Sequence, residues 1–302
     1  MTTILDMILR LLLWLLLAPL LPGIINKVKA WVAGRRGPPV LQLYYDLAKL
    51  WKKGIVLSTA ASPMHVMGPA ISWIAIASAA LLLPVGSADS PLSFRGDALV
   101  LVYLLALSRF CIAGAAMETG SAFEGMGAAR EVSYAVLTEA AFITALLTLC
   151  VQTGTVSLAT MLTPSAGAGA ALLAAGLFGV LLVENCRVPF DDPNTHLELT
   201  MVHEVMVLDH SGPPLAVILH GAALKMLLFS VLLAQAVLPI GELPFFQSIG
   251  ALLAAVLVLM ILAGLVESLM ARLAFRRVPL LLTTSFVFCL FALLVAWKGG
   301  MP

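Results

Sequence analysis

Residues 249–266 read IGALLAAVLVLMILAGLV, an unbroken apolar run without a single charge. At a rise of 1.5 Å per residue, a helix of that length covers about 27 Å, close to the roughly 30 Å hydrocarbon core of a bilayer. A helix suits such a run in lipid because it satisfies backbone N–H and C=O groups within the segment itself. Seven more stretches share the property: 4–22, 64–83, 98–117, 134–151, 168–183, 215–238 and 278–297. With 61% of the 302 residues hydrophobic and only 11% charged, the chain has more apolar surface than one water-soluble core could enclose. The expected fold class is an all-α polytopic membrane protein of about eight transmembrane helices, one membrane domain over residues 1–302. The spans at 134–151 and 168–183 are among the shortest and flank the most polar connections, so they are expected to end inside protein.

The first run carries Asp6 and Arg10 and has no basic leader, so it is read as a retained helix and not as a cleavable signal. Lys27, Lys29, Arg35, Arg36, Lys49, Lys52 and Lys53 fill the first connection, Arg130 the third, Arg187 the fifth, and Arg272, Arg276 and Arg277 the seventh. The even connections and the C-terminus show only Arg95 and Lys298. Basic residues concentrate on the cytoplasmic side, so both termini are expected outside. Within the first connection, at about 40–53, Val40, Leu43, Tyr44, Leu47, Leu50 and Trp51 share one helical face and Gln42, Asp46, Lys49 and Lys53 the other. That is the pattern of a helix lying flat on the interface.

Cys111, Cys150, Cys186 and Cys289 lie far apart with no Cys-x-x-Cys spacing. They are read as core residues, and no cluster or metal is assigned to this chain. A net charge of +1 points to no nucleic acid partner. No nucleophile with its base and no phosphate-binding loop appears, so no catalytic residue is assigned.

Charges at membrane depth are the informative residues, since each costs about 2.5–3.5 kcal/mol to insert. They are Arg109, Glu118, Glu139, Glu184, Lys225 and Glu267. Two readings stay open: ion pairs that fix helix packing, or a hydrated chain that passes protons. Grouped near one side of the membrane, these residues fit the second reading better. The docking loop expected at about 184–213 adds Asp191, Asp192, Glu198 and Glu204 around Pro189 and Pro193. His196, His203 and His210 recur every seven residues there. On a helix they would share a face about 10 Å apart, too far for one ion, and are read as protonatable surface residues.

Several motifs resemble one family. Arg35-Arg36-Gly37-Pro38 with the amphipathic helix, the stretch from Glu118-Thr119-Gly120 to Arg130-Glu131, Val188-Pro189-Phe190-Asp191, Glu198-Leu199 and Ser211-Gly212 resemble the H-type membrane protein of bacterial NADH:quinone oxidoreductase, respiratory complex I. Lys225, Glu139 with Ala135 after Tyr134, and Glu267 to Leu273 look more like the membrane subunit of energy-converting nickel-iron hydrogenases of the formate hydrogenlyase type, group 4. Asn194, Thr195 and His196 depart from the acidic run usual in relatives.

The resemblance implies a membrane anchor and coupling subunit in a prokaryotic inner membrane, beneath peripheral hydrogenase-like large and small subunits and beside antiporter-like membrane subunits. Iron–sulfur clusters, and in one reading a nickel–iron centre, would sit in those partners, and quinone is a further candidate. The proton relay is assigned to Glu118, Glu139, Glu184, Asp191, Glu198, Lys225 and Glu267, and docking of the peripheral arm to Arg35, Arg36, Glu124, Arg130, Arg187 and Asp192. The rival readings are a quinone-site subunit of a complex I-like oxidoreductase and a self-contained secondary transporter. The absence of an internal repeat and the long docking loops count against the transporter.

Overall fold

Proline shapes the first span. In the computed structural model, which describes residues 2–58, 61–162, 167–191 and 201–299, α1 (Thr2–Leu17) ends just before Pro19 and α2 (Leu20–Val32) follows at once. Pro19 has no N–H, so the carbonyl four residues back, that of Leu15, loses its helical partner. His220 occupies it, with Nε2 at 3.1 Å from the Leu15 oxygen, and the Tyr44 hydroxyl donates to the neighbouring Leu16 carbonyl. Tyr44 belongs to α3 (Gln42–Trp51), the short amphipathic helix, which begins and ends within the expected 40–53. Helix α2 extends ten residues beyond the expected end of the first span at 22. The chain then folds back on it, and Gly23 is where they touch: a Cβ there would sit 2.0 Å from the Val40 carbonyl oxygen.

The remaining helices are α4 (Pro63–Leu82), α5 (Asp97–Glu118), α6 (Ala122–Thr153), the single turn α7 (Leu158–Met161), α8 (Ala168–Glu184), α9 (Gly212–Val237), α10 (Phe245–Leu269) and α11 (Val278–Gly299). Among the described residues seven helices are long and apolar enough to cross a membrane, counting α1 and α2 as one, and α8 is a shorter apolar helix. The protein is all-α and polytopic. The expected short span at 134–151 is in fact part of the 32-residue α6, which starts at Ala122. At about 48 Å it exceeds the bilayer core, so its first turns project beyond it. Gly127 lets the connection after α8 settle on those turns, since a Cβ would lie 2.4 Å from Val205 and 2.9 Å from the Val202 carbonyl.

Helix α9 runs through the middle, with Leu224 and Met226 to Ala236 buried on all sides. Helices α8 and α11 cross closely at Gly176 and Gly179, where a Cβ would meet Cys289 at 2.4 Å and Ser285 at 2.1 Å; small residues allow such contact in lipid. At one end of the bundle the first, third, fifth and seventh connections meet. Ser62 N–H donates to Glu118 (2.8 Å), Val56 N–H to Ser211 (2.9 Å), Asp209 N–H to Glu124 (3.0 Å), and Arg272 pairs with Asp191 (2.9 Å). At the other end Ser248 bonds Ser87, and buried Asp97 accepts from Leu158 N–H at 2.6 Å.

Candidate functional site

Arg109 projects from α5 into the space among α6, α8 and α9, where its side chain is only 10% exposed, so its charge has to be met by protein. Its guanidinium pairs with Glu139 and Glu184 and lies 3.5 Å from Glu131. The other Glu184 oxygen is 2.7 Å from Lys225 Nζ on α9. Four helices thus converge on one polar cluster in which three carboxylates face two cations. The cluster carries one negative charge more than its cations balance. The Glu184 side chain is 5% exposed and that of Glu139 39%, so Glu139 is the member that reaches the protein surface. Beside it lies a cavity of about 60 Å³ bordered by Ser72, Ser108, Arg109, Glu131, Glu184, His203 and Lys225, with room for a few waters and polar groups to hold them.

Helix α4 opens next to this cavity for the same reason as α1. Pro69, on the cavity wall, withdraws the donor from the His65 carbonyl, and His210 Nε2 approaches that oxygen at 3.2 Å. The two imidazoles stack at 3.9 Å. The connection from 201 to 211 is bent around a 3₁₀ turn, Glu204–Val207, so His203 and His210 do not share a helical face, and His210 is buried. Burial and the neighbouring His65 push His210 down to about 4. The surface reading of this histidine is therefore corrected: proline supplies an acceptor inside the protein.

The other expected site residues fall into separate groups. Glu267, its side chain fully buried, pairs with Lys29 at 2.7 Å and Arg187 at 3.4 Å. Asp191 pairs with Arg272 and accepts from Val202 N–H (2.9 Å) and His203 N–H (3.2 Å). Arg130 donates to the Met201 carbonyl (2.8 Å) and sits 4.7 Å over the Phe275 ring. Glu118 holds the entry to α4 and Glu124 the entry to α9. Arg35 and Arg36 stand exposed at the rim of a groove beside α2. Asp192, Glu198 and His196 lie outside the described residues.

The family described as NADH dehydrogenase matches residues 5–298. The chain belongs to the NADH dehydrogenase family. Within it, the chain is 33% identical to "Hydrogenase-4 component C" of Escherichia coli K12 over 275 residues, 85% of this chain and 84% of that protein. It is 30% identical to "Formate hydrogenlyase subunit 4" of the same organism over 289 residues, 91% of this chain and 92% of that one. The resemblance drawn from the sequence motifs is borne out. A solved structure of the membrane-bound sulfane sulfur reductase, an archaeal respiratory membrane complex, contains a chain of the same fold, with a TM-score of 0.84 and 21% identity over 98% of this chain and 100% of that one.

An iron–sulfur cluster or a metal ion does not fit the side chains of the described residues. The four cysteines are free and scattered, and among the described residues no group of three His, Cys, Asp or Glu side chains is placed to hold a metal ion.

From the sequence a relay is expected at Glu139, Glu184 and Lys225, without Arg109, the residue that joins these side chains. Arg109 stands out as an intramembrane charge, but nothing in the order of residues says that one guanidinium reaches partners 22, 30 and 75 positions away. Glu131 is visible only as the last residue of the motif that starts at Glu118.

Proposed function

We propose that this chain is the membrane anchor and coupling subunit of a hydrogenase-type, complex I-like, redox-driven ion-pumping assembly, and that Arg109, Glu131, Glu139, Glu184 and Lys225 form its protonic element. The observation that carries the reading is the excess of carboxylates over cations around a water-sized cavity at membrane depth. A purely structural ion pair has no use for the extra charge, whereas a proton can neutralise it and leave again. Glu139 is the exchange position at the edge of the cluster, and Glu184 and Lys225 continue the path inward. Glu118, Asp191 and Glu267 belong to the end where the connections meet, Asp191 and Glu267 buried in ion pairs with basic residues. That end faces the cytoplasm, with both termini outside, and serves as the floor on which peripheral large and small subunits dock, through Arg130 and Arg187; Glu124, expected among the docking residues, is fully buried and instead holds the Asp209 N–H inside the floor. Antiporter-like subunits lie beside the chain in the membrane, and the redox centres reside in the partners.

The quinone-site reading would use the apolar groove of about 400 Å³ lined by Leu15, Leu47, Trp51, Trp73 and His220. It is less well supported, because Trp73 Nε1 donates to His220 Nδ1 at 2.9 Å while Nε2 is taken by Leu15. The groove's imidazole has no free nitrogen for a quinone oxygen.

Replacing Glu139 with Gln keeps shape and hydrogen bonding but removes the exchangeable carboxyl proton. The assembled complex should then transfer electrons slowly, or without building a membrane potential. A Glu139→Gln complex that assembles, turns over and energises vesicles like the parent would place the relay elsewhere. For the orientation, a cysteine introduced at exposed Tyr45 should be shielded from a membrane-impermeant thiol reagent in intact cells and one at Asp89 labelled; the reverse pattern would invert the topology.

A further inference from the structure

Beside the path just described, on the far side of α2, runs a groove of about 590 Å³ that the proposed function does not use. Ile24 and Val28 of α2 and Leu257 and Ile261 of α10 form its wall, Trp31 stands at its upper edge, and Lys27, Arg35 and Arg36 crown it. The crown is held in place by the fold-back of the chain. Gly37, at φ +43°, packs so closely on α2 that a Cβ would lie 2.4 Å from that of Ala30. Lys27 Nζ meets the Arg36 carbonyl at 3.5 Å.

The neighbouring lysine makes a useful contrast. Lys29 points the other way and is neutralised by Glu267. Among the described residues no carboxylate pairs with Lys27, Arg35 or Arg36. All three are exposed, as is Trp31 at 78%.

The depth of the groove fits its chemistry. Helices α2 and α10 run side by side, with Val28 against Gly264 and Lys29 against Glu267. From the level of Glu267 down to Leu257 is ten residues of helix, about 15 Å, the thickness of one hydrocarbon leaflet. An apolar slot one leaflet deep, topped by cations and an interfacial tryptophan, matches a molecule with an acyl chain and an anionic head. A water-soluble protein partner would meet the cations but leave the slot open.

We propose that this groove is a binding site for one anionic phospholipid, with an acyl chain along Val28, Leu257 and Ile261 and its phosphate held by Lys27, Arg35 and Arg36. Arg35 and Arg36, expected to dock the peripheral arm, then serve the bilayer instead.

Native mass spectrometry of the purified complex, reconstituted in phosphatidylglycerol or in phosphatidylcholine nanodiscs before release, tests this. The parent should keep one phosphatidylglycerol per copy of this chain and no phosphatidylcholine. The triple variant Lys27→Gln, Arg35→Gln, Arg36→Gln should hold it more weakly, by roughly fivefold per charge removed. If that variant fails to assemble, Leu257→Trp fills the slot with all charges intact and should also displace the lipid. Equal retention of the two lipids by the parent would overturn the proposal, as would undiminished phosphatidylglycerol in either variant. Loss of the peripheral arm from the triple variant with its lipid still bound would show that the basic residues dock protein.

Discussion

Among the described residues Lys225 has one ion-pair partner and Glu184 has two, an asymmetry that makes the central cluster testable. At 2.7 Å, opposite unit charges attract by roughly 6 kcal/mol at an effective dielectric constant of 20, before the cost of desolvating them is subtracted. Changing Glu184 to Gln strands Lys225 inside the bundle, and breaking a buried pair from one side typically costs about 3–5 kcal/mol. Changing Lys225 to Met leaves Glu184 still held by Arg109, so that loss should be smaller, about 1–3 kcal/mol. The double variant removes both charges together, and its loss should fall well short of the sum. For a chain of 302 residues, 3–5 kcal/mol corresponds to roughly 5–8 °C in midpoint. Thermal unfolding of the detergent-solubilised protein, all four forms at one heating rate, measures this. Additive single and double losses, within about 0.5 kcal/mol, would refute the pairing. A Lys225→Met variant less stable than Glu184→Gln would refute the asymmetry.

Gly127→Ala should dislodge the 201–207 segment from α6, because the new methyl would sit 2.4 Å from Val205 and 2.9 Å from the Val202 carbonyl. A cost of about 1–3 kcal/mol is expected, read as faster proteolysis of that connection; parental cleavage rates would mean that the contact is loose. Acid should loosen the same connection through His210, which faces stacked His65 with Asp209 and Glu124 close by. Its folded value of about 4 lies below the roughly 6.5 of an unfolded histidine, so the unfolded form binds the proton more readily. The contribution is complete above about pH 6.5 and is lost as pH falls through 4. Hydrogen exchange at 201–211, corrected for intrinsic rates, should show protection dropping over that window in the parent but not in His210→Leu; equal protection at pH 7.5 and 4.5 in the parent would contradict the assignment.

Most of the membrane architecture was legible because it follows from local composition. A run such as 249–266 has one stable form in lipid, and alternating faces such as Leu43 and Leu47 against Gln42 and Asp46 define a surface helix. Helix limits were less legible where tertiary contact overrode the local signal. The stretch at 122–133 falls in the expected third connection, outside the 134–151 span, yet it continues α6 as helix and packs through Gly127 against Val205 and Met206.

The sequence by itself determined that this chain lives in a membrane, which ends of its helices carry the positive charge, and that Arg109, Glu139, Glu184, Lys225 and Glu267 need partners. Only the tertiary structure decided who those partners are. Arg109 gathers Glu131, Glu139 and Glu184, Lys225 closes on Glu184, Glu267 turns to Lys29 and Arg187, and the carbonyls freed by Pro19 and Pro69 go to His220 and His210. The physical reason is one of range. Hydropathy and helix periodicity act within a single turn or span, whereas a buried charge is satisfied by whichever side chain the packing of other helices brings to it.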